Sequence, residues 1–449
     1  MAIRTWILPA LAMCLGWGIR GQFGGETGAM VPGALVGLSL ALLSEWKGRD
    51  AVRLGAVGAF ACSLGGMMTY GQTIGLVQNE YPSPTYWWGL LGLAIKGGVW
   101  IGITGACLAI AVSDRYRPKE LLALVVGLLL LGVIGVQLLN HPHNPPDALP
   151  LIYFSKRFDP KPRVEWWGGL WFALIGLMVY TGALKKHRQA VAMALWGIVS
   201  GAVGFSFGEV LQAWGHHQKP FGEAVQPWMD WWKVMEMTFG LVAGAGLGIG
   251  WKATGLHNSP PPPMTSWHRR WDDVTILLWL IPTLATDLSA SWAKGWGNLP
   301  ALWMLFGLLG SLTSRGWAPF GTGVAVTLVS ATDTLRYLTD ERKLLAFGWG
   351  FAVLVVLLFI TGYLTALWYR QGVPARTWWL WTIWVQTALT WVKYLPPVLL
   401  QPDERLWIVR WGSGGVVEII FVILGVILTV WAMAQRPTQG KGETSRAIT

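Results

Sequence analysis

The amino-acid sequence predicts an all-α polytopic integral membrane protein with about 14 transmembrane helices. Hydrophobic residues make up 53% of the 449 residues and charged residues only 13%, a balance typical of membrane-spanning chains. Apolar runs recur along the whole chain, and several approach the roughly 20 residues that a helix needs to cross a bilayer. The lipid bilayer is therefore the first expected partner.

Fourteen apolar runs are the candidate helices. The first, tenth and eleventh are shorter than a bilayer requires, so we expect some of them to be re-entrant or broken. In chain order the runs are 5–19, 27–45, 54–77, 87–113, 121–139, 166–184, 189–214, 228–250, 272–290, 299–314, 318–335, 344–369, 377–396 and 411–434.

A glycine-rich stretch near the N-terminus is partly copied 139 residues later. Over positions 26–58, 10 of 33 ungapped positions are identical in the copy, and Glu26 aligns with Glu165. Further along, Gln72 aligns with Glu209. We therefore predict that helices 1–4 and 5–8 form a parallel internal repeat.

The repeat defines the predicted domains. Four consecutive prolines mark a stiff linker between an eight-helix half and a six-helix half. The predicted parts are the repeat half 1–250, with copies 1–113 and 121–250, the cytoplasmic linker 251–271, the C-terminal half 272–434 and a cytoplasmic tail 435–449.

The distribution of positive charge predicts the orientation. With both termini in the cytoplasm, 19 of the 34 Lys and Arg residues lie inside, 12 lie outside and three lie within helices, as the positive-inside rule requires. The expected location is the cell membrane, of the bacterial inner-membrane type. The net charge of +11 fits loops that face anionic lipid, so no nucleic-acid partner is expected.

Ionisable side chains within the apolar runs are concentrated toward the predicted outer face. Each costs about 2.5–3.5 kcal/mol in a bilayer, so such groups tend to face a wet cavity or each other. A merely tolerated charge would lie equally well at the inner boundary, and the asymmetry therefore predicts a polar cavity that opens outward. The candidate substrate or coupling residues are Arg20, Glu26, Gln72, Lys96, Glu165, Glu209 and Glu236.

Glu209 is the strongest of these candidates, and we expect it to line one cavity with Glu26. Its counterpart Gln72 cannot titrate, so the duplicated pair has one switchable member, as a coupling or catalytic carboxylate would. Two structural alternatives stay open. Glu209 can be a hydrogen-bonded structural residue, and Arg20 can simply pair with Glu26 across the glycine-rich turn.

Four histidines on the predicted outer side give a metal hypothesis. Imidazole together with nearby carboxylates suits Zn²⁺ or Fe²⁺, although such histidines are more often plain interfacial residues. The four are His141, His143, His216 and His217. No cofactor is expected, because the spacing of Gly16, Gly18 and Gly21 lacks the βαβ unit that dinucleotide binding needs.

Tryptophan is abundant, with 32 residues in the chain. Most lie at the ends of predicted helices, where indole rings form interfacial belts. Outer doublets such as Trp87-Trp88 and Trp231-Trp232 could instead stack on a sugar ring or an aromatic ligand. A Trp-rich surface also offers an interface to protein partners.

Three functions fit these observations. The leading prediction is a secondary transporter for a small molecule, because parallel repeats build a site at their interface. The alternative is a membrane enzyme that acts on a lipid-linked or glycan substrate at the outer face, with Glu26 or Glu209 as general base; it accounts for the scarcity of ionisable groups in the inner halves. The third is a structural subunit of a membrane complex, so whether the chain is an enzyme stays open.

Overall fold

The computed structural model describes residues 4–24, 27–46, 48–68, 70–78, 84–140, 152–154, 165–226, 229–261, 299–313, 316–400 and 415–434. These residues form helices and no strands. The helices are α1 (Arg4–Phe23), α2 (Met30–Leu43), α3 (Gly48–Gly65), α4 (Gly71–Gln78), α5 (Pro84–Ala111), α6 (Pro118–Leu139), α7 (Trp167–Val179), α8 (Arg188–His217), α9 (Phe221–Val225), α10 (Trp231–Ala253), α11 (Leu299–Thr313), α12 (Val326–Arg336), α13 (Phe347–Gln371), α14 (Ala375–Leu400) and α15 (Gly415–Ala434).

Seven helices in the described part of the chain are long and apolar enough to cross a membrane. They are α5, α6, α7 with its π-helical extension Tyr180–Leu184, α8, α10, α13 and α15. This supports the predicted class, a helical membrane-embedded protein. The predicted run 272–290 lies outside the described residues.

Two apolar runs are irregular: the third, 54–77, differs from the continuous helix that the sequence predicts, and the eleventh, 318–335, is one of the short runs among which breaks are expected. The run 54–77 is two helices, because α3 ends at Gly65 and α4 begins only at Gly71. The run 318–335 becomes α12 with π-helical turns at Phe320–Ala325 and Tyr337–Glu341. Both irregularities mark places where the regular backbone hydrogen bonding of a helix changes inside the bundle.

Glycine residues bring neighbouring helices into backbone contact. A Cβ atom on Gly97 of α5 would overlap the carbonyl oxygen of Gly201 on α8, and one on Gly240 of α10 would overlap that of Met13 on α1. On α8, Gly208 packs in the same way against the backbone of Met235 on α10. Small residues allow this close approach, which drives helix association where no hydrophobic effect is available.

The face that α6 presents away from the bundle is apolar. Leu122, Val126, Leu130, Val133 and Leu138 are about half exposed or more and recur at helical spacing. In a bilayer this face meets lipid. By contrast, almost every residue of α2 is buried, so α2 belongs to the centre of the bundle.

Arg53 shows how the two halves of the chain are joined. The sequence places it in the loop between the second and third runs, whereas it lies buried within α3. Its guanidinium donates hydrogen bonds to the carbonyl oxygens of Ser311 and Leu312, near the C-terminal end of α11. The positive charge therefore satisfies carbonyls that have no partner within their own helix.

Candidate functional site

The break between α3 and α4 lies against several buried charges. We call the end of the bundle that holds the C-terminal end of α1 the Arg20 end. Tyr70, which directly precedes α4, accepts a hydrogen bond from the Arg20 guanidinium. Thr73 on α4 accepts one from Lys96 Nζ at 2.8 Å. The break therefore brings one short segment into contact with two cations from different helices.

Arg20 belongs to a buried cluster on α1 and α10. Its Nη1 atom lies 3.1 Å from Oε1 of Glu236, whose other oxygen lies 2.9 Å from Lys233 Nζ. The indole of Trp232 also donates to Glu236 Oε1, at 3.1 Å. Gly21 is required beside them, because a Cβ atom there would overlap the Glu236 carboxylate and the Lys233 ammonium. The negative charge of Glu236 is thus neutralised by two cations, and both of its carboxylate oxygens accept hydrogen bonds.

Lys96 and Glu165 form a second buried ion pair. Both side chains are 0% exposed, and Nζ lies 2.6 Å from Oε1. The second carboxylate oxygen accepts hydrogen bonds from the backbone N–H of Phe154 at 3.0 Å and the indole of Trp167 at 3.1 Å. The pair therefore ties α5, the start of α7 and the segment 152–154 together.

Glu209 on α8 differs from the other buried carboxylates of the described residues, although Glu418 also has one unpartnered oxygen, Oε2. Glu209 is 0% exposed, yet neither carboxyl oxygen has a hydrogen-bond partner within the described residues. The side chain of Gln78 lies close to it, but Gln78 Nε2 makes no hydrogen bond there either. One turn further along α8, Gln212 is 1% exposed and its Oε1 also lacks a partner within the described ranges.

The paired and the unpaired carboxylates lie at the same level of the bundle. Because Gly208 packs on the backbone of Met235, their chain neighbours Glu209 and Glu236 are level with each other on α8 and α10. Phe205, one turn before Glu209, stacks on Phe239 of α10 with ring centroids 4.7 Å apart. These helices therefore hold the two carboxylates in a fixed relation.

The other predicted residues have mixed outcomes. Gln72 lies on α4, half-buried, with Oε1 unpartnered among the described residues. His216 and His217 are exposed at the end of α8, and a ring nitrogen of His217 lies 2.7 Å from the carbonyl oxygen of Gln78. Glu26, His141 and His143 lie outside the described residues. Within the described ranges no group of three or more His, Cys, Asp or Glu side chains could hold a metal ion.

A second network links α1 to the C-terminal half. Gln22 donates to Glu418 Oε1 at 2.6 Å, and its carbonyl oxygen accepts from Lys393 Nζ at 2.6 Å. Lys393 also lies 2.6 Å from Asp333 Oδ2.

Several residues of these sites could not be identified from the sequence. The sequence places the charged residues Asp333, Lys393 and Glu418 toward the outer ends of helices. It does not single out Gln22, Tyr70, Thr73, Gln78 or Gln212, because uncharged polar residues have a low free-energy cost near helix ends.

An apolar groove runs beside this charged region. It is a cavity of about 220 Å³ between α3, α5, α6, α7 and α11. Met67 and Trp166 lie toward its Arg20 end, and Leu121 and Leu312 toward the opposite end. Trp166 directly follows Glu165 in the chain, so the groove reaches the neighbourhood of the Lys96–Glu165 pair.

The tryptophan doublets are partly structural. Trp88 donates its indole N–H to the carbonyl oxygen of Tyr153 at 2.7 Å, and Trp231 donates to that of Gly222 at 3.2 Å. Trp87, in contrast, is 68% exposed. Of these doublets, Trp87 has the ring most available to lipid or a partner.

Comparisons of the chain with protein-family models, with curated proteins and with solved structures find no match. The arrangement of the buried charges is therefore the basis on which function is inferred.

Proposed function

We propose that the chain is a secondary transporter for a small polar or charged solute, with its site at the break between α3 and α4. One observation carries the proposal: the break and α4 contact three groups of buried polar side chains. Tyr70 contacts Arg20, Thr73 contacts Lys96, and Gln78 lies beside Glu209. Interrupted helices that meet buried charges commonly form the solute and ion sites of secondary transporters.

The chemistry of the ion pairs favours a site that opens by movement of α4. A buried ion pair is tolerated as a pair, but removing one partner leaves a costly uncompensated charge. A charged solute can therefore exchange partners with Arg20 or Lys96 only as their present contacts separate. Because α4 has eight residues and Tyr70 directly precedes it, a small displacement of this segment would release both contacts at once.

The proposal includes the fourteen-span topology, with both termini in the cytoplasm of an inner-membrane-type bilayer. Basic residues at one end of the bundle support it, since Arg115 Nη1 donates to the carbonyl oxygens of Lys185 and Lys186 at 3.1 and 3.0 Å. A cysteine introduced at Gly48 should then resist an impermeant maleimide added outside intact cells, and one at Asn144 should react. Labelling of the Gly48 variant alone would reverse the orientation.

The proposed parallel repeat is supported by neighbouring helices. In the first copy α1 packs on α2 and α3 on α5, and the corresponding pairs in the second copy, α6 with α7 and α8 with α10, are also in contact. The copies also differ, because α2 packs along α3 whereas α7 meets α8 only slightly, and the extensive packing of α1 on α10 has no comparable counterpart between α6 and α5. An experimental structure in which 1–113 and 121–250 superpose by rotation about the membrane normal would establish the repeat.

A reversible cross-link tests the proposed role of α4. The Gln78→Cys/His217→Cys variant should be bridged by a short, reducible bis-methanethiosulfonate reagent that fixes α4 to α8, since the Gln78 carbonyl and the His217 ring are 2.7 Å apart. In proteoliposomes on a solid-supported membrane, a panel of charged solutes should evoke currents from the unbridged variant and from each single-cysteine variant. Cross-linking should abolish the currents and reductant should restore them; currents that persist after complete cross-linking would exclude a moving α4.

A second candidate, an enzyme that acts on a lipid-linked substrate, is favoured by the apolar groove. An acyl or isoprenoid chain in the groove would bring its head group toward Trp166 and the Lys96–Glu165 pair. Turnover of an outer-leaflet lipid by the purified chain, without solute-evoked current, would support this candidate. Purification in fixed stoichiometry with another membrane protein, without either activity, would support a structural subunit with a Trp-rich partner interface.

A further inference from the structure

A group of unsatisfied polar side chains lies between α4 and α8, separate from the ion pairs. Glu209 contributes two carboxyl oxygens and Gln212 one amide oxygen, all buried and without a hydrogen-bond partner in the described part of the chain. Residues three apart on a helix lie on one face, so these oxygens share a side of α8. Buried polar atoms normally find partners; the unpartnered Gln78 Nε2 beside Glu209 can serve one of these three acceptors, and the other two indicate a missing cation.

We infer that Glu209 and Gln212 bind a monovalent metal cation, which serves as the coupling ion of the proposed transporter. Carboxylate and amide oxygens are the ligands that hard cations prefer. Glu209 supplies one negative charge, and neighbouring Gln212 and Gln78 supply none. A single positive charge therefore neutralises the group, whereas a divalent ion would leave a net charge in the low-dielectric interior.

The neighbouring charges do not satisfy Glu209. The nearest carboxylate at its level, Glu236, already holds Arg20 and Lys233 through contacts of 3.1 and 2.9 Å. Lys96 is engaged by Glu165 at 2.6 Å and by Thr73 at 2.8 Å. Within the described ranges these cations are thus committed elsewhere, so an ion from solution is available to supply the positive charge.

The short helix α4 provides the cover of the site. It packs on both α5 and α8, and its last residue, Gln78, is held to α8 by the contact with His217, two turns beyond Glu209. Gln78 is only half-buried, and its side chain lies beside the buried Glu209. The same displacement of α4 that exposes the ion pairs would therefore admit the cation, which links ion binding to solute access.

Cation binding can be tested without transport. The purified full chain in detergent is unfolded thermally in NaCl, LiCl or KCl, each against choline chloride at constant ionic strength. A ligand that binds the native state raises its stability in a saturable way. The wild-type chain should show saturable stabilisation by at least one of the three metal ions and none by choline.

Three variants assign the effect to the site. Glu209→Gln should abolish the saturable shift, and Gln212→Ala should weaken the apparent affinity about tenfold, as expected for one lost ion contact. Glu223→Gln is the matched control, because this carboxylate lies on neighbouring α9 and is 63% exposed; its shift should equal that of the wild type. If Glu209→Gln fails to fold, Gln212→Ala decides the question, because an unchanged apparent affinity in that variant would overturn the site.

The inference rests on the proposed function only for the role of the ion. Absence of a metal-ion shift in the wild-type chain, or a normal shift in Glu209→Gln, would overturn the cation site. Solute transport driven by a proton gradient, without a metal-ion shift, would overturn the site and leave the transporter intact. A metal-ion shift in a chain that transports nothing would keep the site and remove the transporter.

Discussion

Glu236 and Glu209 lie level with each other on adjacent helices, but their surroundings are opposite. Glu236 accepts hydrogen bonds from Arg20, Trp232 and Lys233, whereas Glu209 accepts none within the described residues. Both are almost completely buried, at 2% and 0% exposure. Burial alone therefore does not distinguish the roles of two carboxylates in a membrane protein. The number of hydrogen-bond donors around each carboxylate does distinguish them.

The difference indicates two uses of buried charge. A carboxylate held by several donors joins helices, and its loss should cost stability. A carboxyl without donors contributes little to stability and can change its partner or its proton. Substitutions at the two positions should therefore have opposite effects on stability and on function.

The largest loss of stability is expected for Glu236→Gln. The variant leaves the buried cations of Arg20 and Lys233 without a counter-charge, and breaking a buried ion pair in this way costs about 3–5 kcal/mol. Thermal unfolding of the purified chain in detergent measures the effect. A melting temperature equal to that of the wild type would show that the Arg20 cluster does not stabilise the bundle.

A slightly smaller loss is expected for Lys96→Met. Glu165 then keeps the Phe154 and Trp167 donors but loses its cation, at a cost of about 3 kcal/mol. The double variant Lys96→Met/Glu165→Gln should recover most of this loss, because removing both charges leaves none uncompensated. A double variant less stable than Lys96→Met would exclude a simple ion pair.

Glu209→Gln should change the free energy of unfolding in salt-free buffer by less than about 1 kcal/mol, because the neutral amide breaks no contact that the carboxyl makes. Transport should nevertheless be lost. Unfolding and proteoliposome currents are measured on the same preparation. A strongly destabilised but active Glu209→Gln variant would reverse the comparison with Glu236.

A further effect, confined to acidic pH, concerns His187, a buried titratable group at the opposite end of the bundle, in the turn between α7 and α8. Its Nδ1 atom lies 2.7 Å from the Tyr116 hydroxyl. Burial, with a smaller contribution from Arg115, lowers the pKa of His187 from 6.5 to about 4. Between these two pH values the unfolded chain binds a proton that the folded chain does not, so stability falls as pH falls through this window.

His187→Gln should remove this pH dependence. The wild type should lose on the order of 1 kcal/mol more than the variant between pH 7.5 and pH 5. Above pH 7 the stability of the wild type and of the variant should change with pH in the same way, because His187 is then mostly neutral in both the folded and the unfolded chain. Equal losses in the two proteins would show that His187 does not titrate between the folded and unfolded states.

The sequence was sufficient to predict the class of the protein and several of its buried charged residues, although it placed the buried Arg53 in a loop. Apolar runs predicted the helices, since the bilayer requires a minimum length. The cost of charge in lipid singled out Arg20, Lys96, Glu209 and Glu236 as functional candidates, and the repeat added Glu165 through its alignment with Glu26. All five are buried in the structure.

The partners of these residues were not predictable. Arg20 and Glu236 are 216 positions apart, and Gln22 and Glu418 are 396 apart, distances over which no local pattern carries information. The break after Gly65 was also missed, because the residues on both sides of it are apolar and read as one run. The contrast between Glu236 and Glu209 depends on the long-range contacts of Arg20 and on the break that places α4 beside Glu209.

The contacts of α1 with the C-terminal helices have a consequence for biosynthesis. Gln22 of α1 contacts Lys393 and Glu418, which are made 371 and 396 residues later. Domains usually assemble as the chain emerges, but the packing of α1 is complete only after α14 and α15 have been synthesised. Chains that stop before α14 therefore present an incomplete surface on α1, which membrane quality-control proteases can recognise.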